Sequence, residues 1–226
     1  MDGMTKNTPL SQAMGNQHDY LPAAGRDSML PFYDLLTRAL GAGRVHSALL
    51  RQASLTPGDR VLEIGCGTGN LTIAAKNAQP GAEIVGTDPD PLALARAERK
   101  SKGRNGLRYE RAYGQALPFP DGGFDHVLSA FMLHHLDPEV KEATAAEVFR
   151  VLRPGGQLHL VDIGGNLTAA DGFSARRMLK NPHVAANLGD GIPSLLRKAG
   201  FDCEEVDSRV YPHVSRVTYF RATRPA

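Results

Sequence analysis

A glycine-rich loop is the part of the chain whose residue types best suit ligand binding. The stretch VLEIGCGTGN, residues 61–70, runs from apolar residues and a carboxylate into Gly65, Gly67 and Gly69. Glycine permits backbone conformations and close approaches that other residues resist. Asp88 ends the next apolar segment, and a carboxylate roughly 20 residues beyond such a loop can accept hydrogen bonds from ribose hydroxyls. The loop and Asp88 together predict a nucleoside-binding site.

The spacing of the glycines separates two classes of ligand. The dinucleotide fingerprint G-x-G-x-x-G needs its third glycine for close packing of a helix on a strand, and that position is Asn70 here. The phosphate loop G-x-x-x-x-G-K-[ST] does not occur in the sequence. The pattern therefore favours a nucleoside without a pyrophosphate, and an NAD-dependent oxidoreductase is the less favoured alternative.

Short apolar segments alternate with helical segments on both sides of this loop. The predicted strands are RVLEIG, EIVGTD, LRYERAY, FDHVLSA and GQLHLVDIG, and the predicted helices are NLTIAAKNA, PLALARAERKSK and PEVKEATAAEVFRVL. Asp90 and Asp137 each precede a proline, which is typical of a helix start, and Gly155 and Gly156 are expected to end the third helix. The alternation predicts an α/β fold, a doubly wound and mostly parallel sheet with the glycine loop at its carboxyl edge.

Helical spacing also marks the segment before the first strand. Apolar residues recur at that spacing from Met29 to Ala53, with a break at Gly41 and Gly43, so we expect two helices there. At the other end, residues 194–224 predict a helix that ends at Gly200, followed by two strands.

Composition places the chain among ordinary globular proteins. Its 226 residues suit one domain, and a net charge of +2 is too small to indicate a nucleic-acid surface. The two cysteines, Cys66 and Cys203, are too few for a cysteine zinc cluster and fit a reducing compartment. No apolar leader opens the chain and no run reaches membrane-spanning length, so we expect a cytoplasmic protein without a membrane span.

Four motifs resemble those of class I S-adenosylmethionine-dependent methyltransferases. They are LEIGCGTG, GTDPD, ALPFPDGGFDHVLS and VLRPGG, in that order within residues 55–158, and they are most similar to the small-molecule branch that includes ubiquinone and menaquinone biosynthesis methyltransferases. The resemblance implies a Rossmann-like, seven-stranded, mostly parallel sheet with an antiparallel last strand. It also implies S-adenosylmethionine as cofactor and S-adenosylhomocysteine as product. Residues 1–54 would form a tail and helical lid, and residues 55–226 the methyltransferase domain, with a cap insertion at about 165–188.

The resemblance also assigns residues to the cofactor. The implied binding residues are Glu63, Gly65, Cys66, Gly67, Gly69, Asn70, Asp88, Pro89, Gly114, Gln115 and Ser129. The loop would lie beside the methionine end, Glu63 would support its amino group, and Asp88 would hold the ribose. Pro89 would lie against the adenine, Gly114 and Gln115 would line its edge, and Ser129 would offer a carbonyl to the amino group.

One position departs from the family's pattern. The family often has Asp-Ala four positions before LPF, where this chain has Tyr113 and Gly114. The adenine amino group therefore lacks the carboxylate that usually accepts its hydrogen bond.

Candidate catalytic residues follow the fourth predicted strand, where the family faces its acceptor. His134 and His135 are adjacent, and because neighbouring side chains rarely point the same way, a shared metal is not expected. Either histidine, or Tyr20 in the predicted lid, is a candidate for contact with the acceptor or for proton removal. His159 and Asp162 are expected to be packing or supporting groups.

Missing motifs narrow the acceptor. The fourth strand lacks the Asn/Asp-Pro-Pro-Tyr of DNA amino-methylating enzymes, and no basic patch interleaved with aromatics suggests RNA. The acidic pair of magnesium-dependent catechol methylation is replaced by Gly164 and Gly165, and arsenic methylation needs more cysteines. We therefore predict metal-free, in-line methylation of a small organic acceptor, with oxygen, carbon, nitrogen and sulfur acceptors and the oligomeric state left open. A cofactor-binding module without transferase activity is the alternative from another class.

Two segments are expected to cover the site as a lid. Residues 18–36 precede the first strand, and residues 166–189 form a connection far longer than the usual two to six residues. The second segment predicts an amphipathic helix whose apolar face holds Phe173, Met178, Leu179 and Val184. Tyr20 and Tyr33 would face the acceptor; the other interpretation is that both segments are ordinary surface helices.

Overall fold

The computed structural model describes residues 41–211 and 214–226. The first predicted helix, Tyr20 and Tyr33 lie outside the described residues, so the part of the lid that they form stays a prediction.

The described chain alternates strands and helices as expected. Its strands are β1 (Arg60–Ile64), β2 (Glu83–Asp88), β3 (Leu107–Arg111), β4 (Phe124–Ala130), β5 (Leu152–Ile163), β6 (Asp202–Tyr211) and β7 (Ser215–Thr223). Its α-helices are α1 (Ala42–Ala53), α2 (Asn70–Ala78), α3 (Pro91–Ser101), α4 (Pro138–Val151), α5 (Phe173–Met178), α6 (Pro182–Ala185) and α7 (Gly191–Lys198). Two 3₁₀ turns, Leu133–His135 and Ala169–Asp171, complete the described elements.

One seven-stranded sheet organises these elements, in the order β3-β2-β1-β4-β5-β7-β6. The pairs from β3 to β5 are parallel, and β7 is antiparallel to both β5 and β6. The strand order reverses between β1 and β4, and open sheets bind ligands at the carboxyl side of such a reversal. The predicted fold is confirmed, including its antiparallel last strand.

Alternating side chains of the strands build a core on each face of the sheet. Val61 of β1 joins α1 and α2 in one apolar cluster, whereas the next residue, Leu62, joins α4 and α7 in the other. Both residues are fully buried. Because the strands are buried on both faces, the register between neighbouring strands is fixed. This register determines where the strand ends that carry the site lie.

Local sequence explains the helix starts but not every helix end. Asp90 caps α3 by accepting hydrogen bonds from the amides of Leu92 and Ala93. Gly155 and Gly156 do not cap α4, which corrects the prediction: α4 ends at Val151 and the extended Leu152 begins β5 directly. The cause is tertiary, because Leu152 pairs with Phe124 of the neighbouring strand, and Pro154 could not continue a helix.

The connection after β5 is compact and contains two short helices, α5 and α6. Its cluster is formed around Ile163, Ala175 and Val184, with Met178 and Leu179 packed against it. Phe173 is 84% exposed, so its predicted place on the apolar face is wrong. Arg216 of β7 anchors the segment through a two-bond ion pair with Asp171, at 2.8 and 3.1 Å.

None of the helices within residues 41–211 and 214–226 is long and apolar enough to cross a membrane.

Candidate active site

The glycine loop makes a tight turn from β1 into α2. Gly65, Gly67 and Gly69 have φ values of 66°, 52° and 76°, a left-handed region that other residues rarely adopt. A Cβ atom at Gly65 would lie 2.4 Å from Cγ of Met132, and one at Gly69 would lie 2.5 Å from the Tyr109 hydroxyl. Two of these glycines are therefore also required by close side-chain packing.

Asp88 ties the end of β2 to this loop. Its Oδ2 accepts a hydrogen bond from the amide of Gly67 at 2.7 Å, and its Oδ1 accepts one from the amide of Asp90 at 2.9 Å. The residue is 8% exposed, and burial raises its pKa to about 6 against the lowering effect of these two bonds. Asp88, which the sequence analysis assigned to the ribose, is thus held at the loop. Each of its oxygens uses one lone pair for a backbone amide.

Glu63 and Cys66 lie beneath the loop in buried surroundings. Glu63 is 3% exposed and accepts a hydrogen bond from the Thr72 hydroxyl. Burial raises its pKa to about 8, so a nearby positive charge would favour its ionised form. Burial also raises the pKa of the Cys66 thiol, which favours the neutral thiol over a thiolate at this position.

Asn70 opens α2 and is held by a lysine from the next helix. Lys100 Nζ donates to the Asn70 side-chain oxygen at 2.5 Å and to the carbonyl of Thr68 at 2.9 Å. Position 70 therefore carries an anchored side chain where the dinucleotide fingerprint requires glycine.

The remaining predicted cofactor residues also lie at the carboxyl ends of the strands. Pro89 follows β2, and its carbonyl accepts a hydrogen bond from Arg111 at 3.0 Å. Ser129 lies near the end of β4, one residue past the partner of Glu63, and its buried hydroxyl has no partner among the described residues. Gly114 packs so closely on Thr144 that a Cβ atom would lie 3.0 Å from that side chain.

Gln115 is exposed, in a turn that Tyr113 closes by pairing with Ala116. The fold thus brings all the predicted cofactor residues to one edge of the sheet. Their contacts with the cofactor stay predictions.

His134 forms a buried pair with Asp162, at the ends of the adjacent strands β4 and β5. The ring Nδ1 lies 2.5 Å from Oδ1 of Asp162, and the amides of Leu133 and His134 donate to Oδ2 at 2.8 and 3.3 Å. His134 is 6% exposed and Asp162 is fully buried. Burial acts to raise the pKa of Asp162, but the His134 ring and the amide of Ile163, which donates to Oδ1 at 2.6 Å, outweigh it and hold that pKa below its usual value.

The ionised Asp162 determines where the histidine holds its proton. A carboxylate only accepts hydrogen bonds, so Nδ1 of His134 must be the protonated nitrogen. Nε2 is then the nitrogen that can carry a lone pair, and it makes no hydrogen bond to the described residues. The ring of His135 lies against that of His134 at a tilt of 44°, with centroids 3.9 Å apart, and His135 is exposed. Of these two histidines, His134 is the one that a carboxylate orients as a proton acceptor.

A buried lysine connects this pair to the segment after β5. Lys141 of α4 is 3% exposed, and its Nζ donates to the carbonyl of His183 at 2.8 Å and to the Asn187 side chain at 2.6 Å. Asn187 in turn donates to the carbonyl of Ile163, next to Asp162. The acceptor side of the site is therefore joined to α4 and to the cap segment by one network.

Comparisons with known proteins agree with this geometry. Residues 61–156 match the family described as methyltransferase domain. The chain is 40% identical over 136 residues to the demethylmenaquinone methyltransferase of Thermus thermophilus, covering 58% of this chain and 61% of that protein. It is 35% identical over 167 residues to the demethylmenaquinone methyltransferase of Deinococcus radiodurans, covering 72% of this chain and 67% of that protein. This chain belongs to the methyltransferase family.

Solved structures share this fold. Phosphoethanolamine N-methyltransferase 2 of Haemonchus contortus, solved with S-adenosyl-L-methionine, superposes with a TM-score of 0.66 at 18% identity, over 81% of this chain and 53% of that one. The chain spans about three fifths of the length of the Thermus relative.

Two features of this site, Lys141 and Met132, were not found from the sequence. Asp162 was predicted as a packing or supporting group, and the sequence did not identify His134 as the residue that it supports. Their partners lie far away along the chain, and only the parallel pairing of β4 with β5 brings Asp162 to His134. An Asp at the end of a buried strand, next to a strand that ends in histidines, is the signal that could have indicated the pair.

His159 belongs to a separate chain of polar groups, as expected for a group outside the site. Its Nδ1 lies 3.3 Å from the Gln52 amide nitrogen and its Nε2 3.2 Å from His126. His126 faces Asp59 at 3.5 Å, at the amino end of the sheet. Burial lowers the pKa of His159 to about 3, so this methyltransferase keeps that ring neutral.

Proposed function

We propose that the chain transfers a methyl group from S-adenosylmethionine to a small organic acceptor. The arrangement of Asp88 at the glycine loop carries this proposal. A carboxylate has about four lone-pair sites, and Asp88 uses one on each oxygen for backbone amides. One site on each oxygen remains for the two hydroxyls of a ribose.

The residues of the loop fit this cofactor and disfavour NAD. Three left-handed glycines at alternate positions, Gly65, Gly67 and Gly69, present backbone without side chains beside Asp88, which lets a small ligand approach closely. Asn70, fixed by Lys100, occupies the position at which a dinucleotide site needs glycine. The N-terminus of α2 favours the cofactor carboxylate by about 0.3–1 kcal/mol.

Each residue has a role in binding or positioning. S-adenosylmethionine, when bound, supplies a methyl group activated by a sulfonium. Asp88 orients the ribose. Glu63 lies beneath the loop, and its ionised carboxylate stabilises the positive charge of the cofactor's amino group. Tyr113 in place of a carboxylate leaves the adenine amino group to backbone acceptors or to Gln115. Holding acceptor and methyl group in line can lower the barrier by roughly 7–11 kcal/mol.

His134 is the residue we assign to proton removal from the acceptor. Its Nε2 is the basic nitrogen because Asp162 holds the proton on Nδ1, and a positioned base of this kind typically contributes about 10²–10⁴-fold. His135 is exposed and is more suited to contact with the acceptor than to proton removal. We propose a metal-free reaction, since Gly164 and Gly165 stand where catechol methylation needs its acidic pair.

The acceptor class follows from the relatives and from the histidine. Two relatives are named demethylmenaquinone methyltransferases, and a phenol or quinol has an acidic hydroxyl that a histidine can deprotonate. Phenols and quinols are therefore the acceptors to test first. We further propose that the protein acts in the cytoplasm and not on nucleic acid.

One set of experiments separates this function from its alternatives. Thermal shift with S-adenosylmethionine, S-adenosylhomocysteine and NAD should show stabilisation by the first two only. Incubation with S-adenosylmethionine and a phenol and quinol library should then release S-adenosylhomocysteine. Stabilisation by NAD would favour an oxidoreductase. Binding of S-adenosylhomocysteine without turnover on any acceptor would favour a binding module.

The N-terminal segment and the cap segment are proposed to close over the acceptor. The cap begins at the carboxyl end of β5, beside the His134–Asp162 pair, and methyl transfer benefits when water is excluded. Deletion of residues 1–28, which include Tyr20, should leave the fold intact, weaken retention of S-adenosylhomocysteine and reduce turnover much more. Full turnover in the truncated protein would contradict the N-terminal part of this proposal.

A further inference from the structure

A cleft lies between α1 and the end of β6, at the carboxyl edge of the sheet. It is a cleft of about 470 Å³, lined by Gly43, Arg44, Ser47, Arg51, Arg209, Val210 and Tyr211. Small-molecule sites typically enclose about 300–1,000 Å³, so the cleft is large enough for a small ligand.

The charged side chains among the described residues that line this cleft, the arginine cleft, are all positive. Among the described residues, Arg44, Arg51 and Arg209 line it and no carboxylate does. The guanidinium groups of Arg44 and Arg51 form no hydrogen bond or ion pair with the described residues, whereas Arg209 is bonded to Asp207 at 2.5 Å. An anion in this cleft would therefore meet at least two guanidinium groups that no described carboxylate neutralises, and it would be attracted by both.

The walls that carry these charges are fixed by the fold. Arg44 and Arg51 lie seven residues apart on α1, so they lie on one face of the helix, and α1 is anchored by the fully buried Val45 and Leu49. Tyr211 is held from the other side, because its hydroxyl is 2.8 Å from that of the buried Tyr219. Packing therefore fixes the helix and the strand that form the walls, and the arginine side chains extend from them into solvent.

The position of the arginine cleft separates it from the cofactor loop. Four strand spacings lie between β1 and β6, which is roughly 19 Å at about 4.8 Å each. The end of β6 nevertheless lies at the same edge as the cap, because Arg209 pairs with Val217 and Val217 pairs with Ile163. A ligand here would be distinct from the cofactor and next to the segment that closes the acceptor site.

We propose that the arginine cleft binds a small phosphorylated molecule with at least two negative charges. Guanidinium groups match phosphate oxygens with paired hydrogen bonds, and Val210 and Tyr211 offer apolar surface to the rest of such a ligand. This site does not depend on the proposed methyl transfer, so it can be tested without methyl donor or acceptor.

The test is calorimetric titration of the full chain with inorganic pyrophosphate at constant ionic strength. The wild-type protein should bind it saturably, and Arg44→Gln/Arg51→Gln should weaken the affinity at least tenfold, on the order expected when charged hydrogen bonds are lost. The matched control is Arg99→Gln/Lys102→Gln, which removes the same charge from two exposed positions, one in the last turn of α3 and one directly after it, and should change the affinity less than twofold. Absence of saturable binding to the wild type, or equal weakening by both double variants, would overturn the proposal.

Discussion

Asp162 lies with its Oδ1 2.5 Å from Nδ1 of His134, although 28 positions separate the two residues along the chain. The pair is buried, and Asp162 also accepts hydrogen bonds from the amides of Leu133 and His134. The carboxylate thus fixes both the orientation of the ring and the nitrogen that holds its proton. We infer that Asp162 is a positioning residue, which acts on the acceptor only through His134.

Replacement of Asp162 should affect turnover rather than cofactor binding. In Asp162→Asn the amide no longer stabilises the charged ring, and kcat should fall by about 10²–10⁴-fold, while the affinity for S-adenosylhomocysteine changes less than about twofold. Steady-state kinetics and calorimetry check this together, because a loss confined to kcat separates proton removal from cofactor binding. The His134→Gln variant and the Asp162→Asn/His134→Gln double variant should each lose about as much kcat as Asp162→Asn alone, because the two residues act as a unit.

The control for this prediction is Asp190→Asn, at an exposed position whose partners are Ser194 and Arg197. The Asp190→Asn variant should have the same kcat as the wild-type protein. Additive losses in the double variant, or a loss of S-adenosylhomocysteine affinity as large as the loss in kcat, would show that Asp162 is only structural.

Asp88 should be the main determinant of nucleoside affinity. Asp88→Asn removes a charged acceptor, and we expect a loss of about 1.5–3 kcal/mol in binding S-adenosylhomocysteine, measured by calorimetry. Because Asp88 also holds the amides of Gly67 and Asp90, the free energy of unfolding must be measured in parallel. Asp202→Asn, at the exposed start of β6, should leave both quantities unchanged. A less stable Asp88→Asn protein with wild-type affinity would contradict the ribose assignment.

The strand pattern explains why one half of the site could be predicted and the other could not. Asp88 and the glycine loop are encoded locally, because each follows a short apolar strand and the carboxyl ends of parallel strands share an edge. The pairing of Asp162 with His134 depends on the register between β4 and β5, which composition and periodicity do not specify. The end of α4 could not be predicted for the same reason. Leu152 pairs with Phe124 of β4, so the helix ends before the glycines that were expected to end it.

Glu63 should make cofactor binding depend on pH. Burial raises its pKa to about 8, so the ligand-free carboxyl is mostly protonated at pH 7.5. Binding of an ammonium group favours the ionised form, and the affinity for S-adenosylhomocysteine should therefore rise from pH 6.5 to 8 with release of up to about one proton. Titration in buffers of different ionisation enthalpy measures that proton. At pH 7.5 the signal belongs to Glu63, because the pKa of Asp88 is about 6.

Glu63→Gln provides the control, since it keeps the hydrogen-bonding shape but cannot ionise. Its proton release at pH 7.5 should vanish. Because the raised pKa means that the folded state loses stability as pH rises from about 4.5 toward 8, the variant should also unfold at a higher temperature than the wild type at pH 8. Wild-type binding without proton release would show that the amino group lies elsewhere.

Lys141 should hold the cap segment against α4. Its Nζ is bonded to the carbonyl of His183 and to Asn187, both in that segment, and it is 3% exposed. In Lys141→Met two buried acceptors lose their donor, so we expect a loss of about 1–3 kcal/mol in the free energy of unfolding. Lys198→Met, which removes an exposed pair with Glu142, should cost less than about 1 kcal/mol.

The local effect of Lys141→Met distinguishes a clamp from a general core residue. Hydrogen exchange should accelerate in residues 182–188 well before β4 and β5 are affected, because Arg216 still anchors the Asp171 end of the segment. Local opening of this kind is expected where one end of a segment loses its buried contacts. If exchange accelerates equally across the sheet, Lys141 stabilises the whole fold and does not clamp the cap.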